Sequence, residues 1–168
     1  PTRIARPPDI DGGLDDDVWK TAAVITDFVQ QAPLDGPAAT EATEVYLAYD
    51  SQNLYLGFRL HYSDPGLMRA NRVDRDQADQ DDLISIYIDP FLDQQRAYVF
   101  DVNGYGVQGD GIIVTNTSSG TRGRGRTRGG GRGQTGIPGP DRSWDALFET
   151  GARVVEDGYT AEMAIPFK

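Results

Sequence analysis

Eight polar and tyrosine side chains recur at one parity along the β-patterned segments of this chain: Tyr46, Tyr55, Arg59, His61, Ser85, Tyr87, Asp101 and Glu162. Each sits between apolar neighbours, so alternation places all eight on the sheet side turned away from the core. Tyrosine rings flanked by hydrogen-bonding side chains suit a sugar, whose C–H faces stack on aromatic rings while its hydroxyls need donors and acceptors. The same letters also describe an ordinary solvated face, with tyrosine present for its β-propensity and Arg59 paired to Asp101 or Glu162. Trp144, in the phrase Arg142, Ser143, Trp144, Asp145, is a second candidate platform for a pyranose ring, with packing at the core edge as its alternative. Trp19 reads as a structural anchor.

A second group is acidic. The stretch from Asp64 to Asp82 carries Asp64, Asp74, Asp76, Asp79, Asp81 and Asp82, interleaved with Arg69, Arg72 and Arg75. Loop aspartates at this density suit calcium, a hard cation that takes six to eight oxygen ligands, and Asp64, Asp79, Asp81 and Asp82 are the candidate ligands. Pairing with the three arginines accounts for the same composition, and the spacing is not that of an EF-hand.

Other chemistry is excluded or unsupported. The chain has no cysteine, which removes disulfides, zinc-thiolate clusters and thiol nucleophiles. A single histidine rules out a two-histidine copper site, and no nucleophile elbow accompanies it. Nothing singles out a carboxyl in an apolar pocket for glycoside hydrolysis, so the chain reads as a non-enzyme. The formal net charge is −10, from 26 acidic and 16 basic residues. Five of the arginines (Arg122, Arg124, Arg126, Arg128, Arg132) lie in an acid-free Gly/Arg tract over 117–140, which leaves −15 on the rest. A body of that sign repels phosphate backbones and argues against nucleic acid. The tract reads as an inserted loop that docks on the acidic body, the remainder of a larger chain or a second copy. No apolar run reaches the ~18–20 residues of a membrane helix.

The elements that must position these groups are strands. β-branched and aromatic residues alternate at period two between Gly, Asn, Asp and Pro turn signals, predicting strands over 45–50, 54–62, 83–89, 97–103, 112–115, 152–156 and 159–165. Leu54, Leu56, Phe58, Leu60 and Tyr62 point inward from the second of these. Ile84, Ile86 and Ile88 do so from the third, and Tyr98, Phe100 and Val102 from the fourth. A short helical turn is expected over 15–23, capped by aspartate. The fold class expected is all-β: one antiparallel two-sheet β-sandwich with long loops, spanning 1–168.

Five ordered phrases carry a resemblance. They are Ile10 to Trp19, Thr43 to Gly57, Asp82 to Asp89, Tyr98 to Asn103 and Tyr159 to Phe167. Together they resemble the family 9 carbohydrate-binding module, in the version found at the amino terminus of large bacterial proteins with an outer-membrane-type carboxy-terminal half. The resemblance implies a β-sandwich, a secreted or cell-surface location, binding to a polysaccharide or oligosaccharide, and structural calcium. It also implies a longer chain, since members continue for at least one more strand. The sugar clamp of the family departs here: no tryptophan stands in the loop Asp76 to Asp81 just before Asp82, Ser85 stands at the glutamate position, and Asp101 stands at the arginine position. The expected function is glycan binding on the tyrosine-rich face, with a structural or assembly role as the alternative.

Overall fold

In the computed structural model, which describes residues 1–33, 35–115 and 139–167, the alternating segments form nine β-strands. These are β1 (Thr2–Arg3), β2 (Ala23–Ile25), β3 (Thr43–Tyr49), β4 (Asn53–His61), β5 (Leu83–Ile88), β6 (Arg96–Asn103), β7 (Gln108–Val114), β8 (Glu149–Val155) and β9 (Gly158–Pro166). One sheet has six strands in the order β1-β3-β4-β9-β8, with β2 also pairing to β3; the other has three, β5-β6-β7. Every pairing is antiparallel except the short β1–β3 contact. The expected all-β sandwich is the fold.

The core lies between the sheets. Val45, Leu56, Phe58, Tyr159, Ala161, Met163 and Ile165 from the large sheet pack against Phe100 and Val102 from the small one and against Phe148. Leu56 pairs with Met163 and Phe58 with Ala161 in register, so alternate rungs of the β4–β9 ladder send their apolar pairs inward together.

The expected helical turn over 15–23 is a run of turns instead. Only Ala22 N–H reaches back four residues, to Val18, while Trp19 and Thr21 close three-residue turns on Asp16 and Val18. Three aspartates in the first turn favour capping and turns over helix interior, and residues 23–25 are drawn off into β2. The one helix among the described residues is a single 3₁₀ turn at Pro65–Leu67, capped by Asp64. The Gly/Arg tract lies almost wholly outside the described residues.

The segment before β2 crosses the outer face of the large sheet and makes a second, smaller core. Trp19 joins Ala48, Tyr55 and Ala164 there, with Ile4, Ile10, Leu14, Val18, Ala22 and Tyr46 packed around them. Glycines make this approach possible. A Cβ at Gly151 would lie 2.5 Å from Gly12 N, and one at Gly57 would lie 2.8 Å from the Leu14 side chain. Gly12 itself has φ +87° and would place a Cβ 2.5 Å from the Ala152 backbone. Gly12→Ala is therefore expected to lower unfolding stability by roughly 2 kcal/mol or more, read as a reduced urea midpoint with an unchanged m-value.

Candidate functional site

Alternation sorts residues into inward and outward relative to their own sheet, and a sandwich has two outward faces. The eight residues expected to share one face are divided between them. Tyr46, Tyr55, Arg59, His61 and Glu162 stand on β3, β4 and β9, outside the large sheet; Ser85, Tyr87 and Asp101 stand on β5 and β6, outside the small one. The expected single tyrosine-rich surface is thus corrected: the two groups are separated by the whole thickness of the core.

The first group is also largely covered. Tyr55 is 3% exposed, and its hydroxyl donates to Asp50 Oδ2 at 2.9 Å and accepts from Asn53 Nδ2 at 3.0 Å. Tyr46 meets the Trp19 ring edge-on at 6.3 Å and donates to Glu44 Oε2 at 2.8 Å. Arg59 and His61 both engage Asp157 in the β8–β9 turn, and their hydrogen bonds, His61's first, hold that carboxyl below the usual range. Glu162 is fully buried. Its register partners are Gly57 and Gly151, so the space beside it on both flanks is free for the crossing segment. Three N–H groups of that segment donate to it: Trp19 Nε1 at 2.8 Å, Gly12 N at 2.7 Å and Asp11 N at 3.0 Å. Burial pushes the Glu162 carboxyl up to about 7, although these three bonds favour its ionised form. Tyr55 and Glu162 are thus buried parts of the fold, while Tyr46, Arg59 and His61 are half-buried and held by partners of their own.

The second group is open only in part. Ser85 and Tyr87 are exposed, but Asp101 is 2% exposed, with Arg142 Nη1 2.6 Å from its Oδ2. The void between Asp76, Asp79, Asp101 and Arg142 holds only about 10 Å³, too little for a pyranose ring. Asp101 Oδ1 is buried there without a hydrogen-bond partner among the described residues.

The four candidate calcium ligands do not converge. Asp64 caps the 3₁₀ turn, and Asp82 accepts from Tyr62 Oη and Arg69 N. Asp81 accepts from Asn71 and Asn103, and Asp79 is exposed. Local donors take the place that the metal was expected to fill. Among the described residues the acids that do gather are Asp76, Asp110 and Asp145, with oxygens within 4.8 Å of one another. They do not fit a calcium ion. Asp110 is fully buried and both its oxygens are taken, Oδ1 by Arg75 Nε at 2.9 Å and Nη2 at 2.6 Å, Oδ2 by Ala146 N. A guanidinium already supplies the positive charge.

Among the described residues a large concavity lies at an end of the sandwich, between the sheets. It is a cleft of about 690 Å³ lined by Phe91, Tyr98, Phe100, Trp144 and Phe167 among aliphatic residues, with Asp145 at its wall. The volume is that of a small-molecule site. Of the residues singled out from sequence, only Trp144 is here. Its ring lies 4.9 Å from Tyr98 and 6.2 Å, edge-on, from Phe100. The segment bearing it is fixed on both sides: Asp141 exchanges two backbone hydrogen bonds with Ile112, Arg142 pairs with Asp101, and Ala146 is tied to Asp110 and Arg75. Tyr98 reads as core from its alternation, and Phe91 lies in the hairpin connection. The apolar pair Phe91 and Leu92 at a turn was the available signal.

The sequence profile of the carbohydrate family 9 binding domain-like family matches residues 10–168. The chain belongs to that family. Solved structures similar to this family 9-like domain include a carbohydrate-binding module family 9 protein from Caldicellulosiruptor kristjanssonii in complex with cellotriose (TM-score 0.60, 19% identity, 98% of this chain and 65% of that one). The same source supplies one in complex with glucose (0.60, 18%, 99% and 70%). A putative carbohydrate-binding protein from Bacteroides uniformis is also similar (0.61, 12%, 99% and 71%). The chain thus spans 65% of the length of the cellotriose-bound protein, and identities this low establish the shared fold. No curated protein matches the chain.

Two expectations follow for the family 9-like domain. Glu162 binds its proton more tightly folded than unfolded, so its contribution is complete below about pH 4.5 and is lost as pH rises through about 7. Wild-type melting temperature should therefore fall from pH 5 to pH 8. Glu162→Gln, which sets an amide NH₂ against N–H donors, should be less stable at pH 5 and lack that component of the slope. Chelator should leave the wild-type melting temperature unchanged, since a ligand bound only to the folded state would have raised it; a drop of several degrees would restore a metal site.

Proposed function

We propose that this domain is a non-catalytic saccharide-binding module that takes its ligand in the aromatic cleft, with Trp144 and Tyr98 as the stacking surface. The observation that carries the reading is the cleft itself: about 690 Å³, open to solvent, and lined by five aromatic residues in a chain of this family. Pyranose C–H faces stack on such rings, and hydroxyls at the mouth keep their water or reach the Asp145 carboxylate. Solved proteins of the same fold hold cellotriose and glucose, which supports a glucan-type ligand. A polymeric glycan is met outside the cell, so this reading puts the domain in the secreted or surface-displayed part of a bacterial protein.

The same mouth favours a second reading. Leu92 and Leu147 are 88% and 91% exposed, and Phe91 and Phe167 are 67% and 57% exposed. Bulky apolar residues grouped in this way also mark protein contact surfaces, which keeps the assembly role as the alternative.

Calorimetric titration with cello-oligosaccharides and other soluble oligosaccharides tests the choice. Trp144→Ala and Tyr98→Ala should each lower affinity about five- to thirtyfold, because each removes a stacking face worth roughly 1–2 kcal/mol. Tyr87→Ala, on the outside of the small sheet, should leave affinity as it is. Absence of binding by every saccharide, together with concentration-dependent association relieved by Leu92→Ser and Leu147→Ser, would select the assembly role.

A further inference from the structure

The charge around the cleft is one-sided. Among the described residues that line it only Asp145 is charged, and none is a lysine, arginine or histidine. Among the described residues Asp145 makes no ion pair, and its side chain is exposed. Behind it the carboxylates of Asp76 and Asp110 lie within 4.8 Å. Arg75 offsets Asp110 at 2.6 Å, and Arg142 is shared between Asp101 at 2.6 Å and Asp76 at 3.8 Å. Four acids thus face two guanidiniums, and the uncompensated negative charge is on the side that borders the cleft. The field of the chain, net −10, adds to it.

A low-dielectric aromatic wall beside an unpaired carboxylate attracts a compact cation twice over. The carboxylate supplies a charge-assisted hydrogen bond, and the faces of Trp144 and Tyr98 supply their negative quadrupole. A saccharide bearing a free amino group offers both an apolar ring face and an ammonium at the ring edge. An acidic saccharide brings its carboxylate against Asp145 and the acidic body, and no basic residue among the described lining receives it. Building on the saccharide reading above, we propose that the cleft selects amino-bearing saccharides over neutral ones and rejects acidic ones, with Asp145 as the selecting residue.

The test is calorimetric titration of the intact chain at pH 6 with three oligosaccharides of equal length, built of glucosamine, glucose and galacturonate. The glucosamine oligomer should bind about three- to fivefold more tightly than the glucose oligomer at low salt, the range of a solvent-accessible ion pair. The ratio should shrink toward one in 0.5 M salt and in Asp145→Asn, and the galacturonate oligomer should bind most weakly. Equal affinity for the glucosamine and glucose oligomers, with both lost in Trp144→Ala, overturns the selectivity and leaves the saccharide site standing. Tighter binding of galacturonate overturns it as well. Failure of all three to bind overturns the saccharide reading, and this inference with it.

Discussion

A carboxylate with no exposed surface, held by three N–H groups, fixes how this sandwich is built. Buried ionisable side chains are tolerated only when their hydrogen bonds are complete, and Glu162 obtains its donors from a segment more than 140 residues away in sequence. The chain must therefore bring residues 11–19 down onto the middle of the large sheet. It can do so because the cross-strand neighbours on either side are Gly57 and Gly151 and the arriving residue is Gly12. Once there, the segment also buries Trp19, Tyr55 and Ala164, and Thr160 Oγ1 donates to the Gly12 carbonyl at 2.6 Å. The middle of the large sheet is consequently covered on both faces. That cover is why the proposed ligand site lies not on the broadest surface of the molecule but at the end of the sandwich where the sheets part.

The second buried carboxylate shapes that end. Asp110 gathers three pieces of chain that share no secondary structure: its own strand β7, the loop that brings Arg75, and the segment that brings Ala146. Arg75 continues the tie by donating to the Ala146 carbonyl at 2.7 Å and to Gln108 Oε1 at 3.0 Å. Both chain and charge are thus fixed two residues from Trp144. A ring held this way loses little side-chain freedom when a ligand stacks on it, which favours binding by preorganisation. The acid-rich loop read as a calcium site has the same architectural use, since Asp76, Asp81 and Asp82 each accept backbone N–H groups that set the path of the chain.

The strands were legible in the sequence because each β segment carries its own period-two signal, and seven of the nine strands coincide with expected segments within a few residues. Only β1 and β2, two and three residues long, escaped, being too short to show a period. The candidate surface was not legible in the same way. Parity along one strand says which side of its sheet a residue occupies, not which sheet the strand joins. Tyr55 and Tyr87 therefore looked equivalent while belonging to opposite faces. Nor does parity tell a face covered by a distant segment from a solvated one, and the cover here depends on glycines whose significance emerges only from close backbone approach. The cleft escaped for another reason. Its lining comes from strand interiors, a hairpin tip and two loop ends, so no window of sequence contains it. Trp144 alone stood out, by type.

The positions that depart from the family's sugar clamp connect these observations. Asp101 stands where the resemblance leads one to expect an arginine, and it receives a guanidinium from Arg142 instead. The pair closes the outer face of the small sheet at that point and leaves Asp101 Oδ1 without a partner among the described residues, a cost of about 1–3 kcal/mol for a buried polar atom left unpaired. The same pair fastens the residues immediately before Trp144, and Gly109 and Gly111 leave room for them to lie against β7. A polar contact in place of the clamp thus supports an aromatic one at the end of the sandwich. Under the proposed saccharide reading, recognition built this way draws its free energy from ring stacking and the exclusion of water, and leaves discrimination among ligands to the few charged groups at the rim.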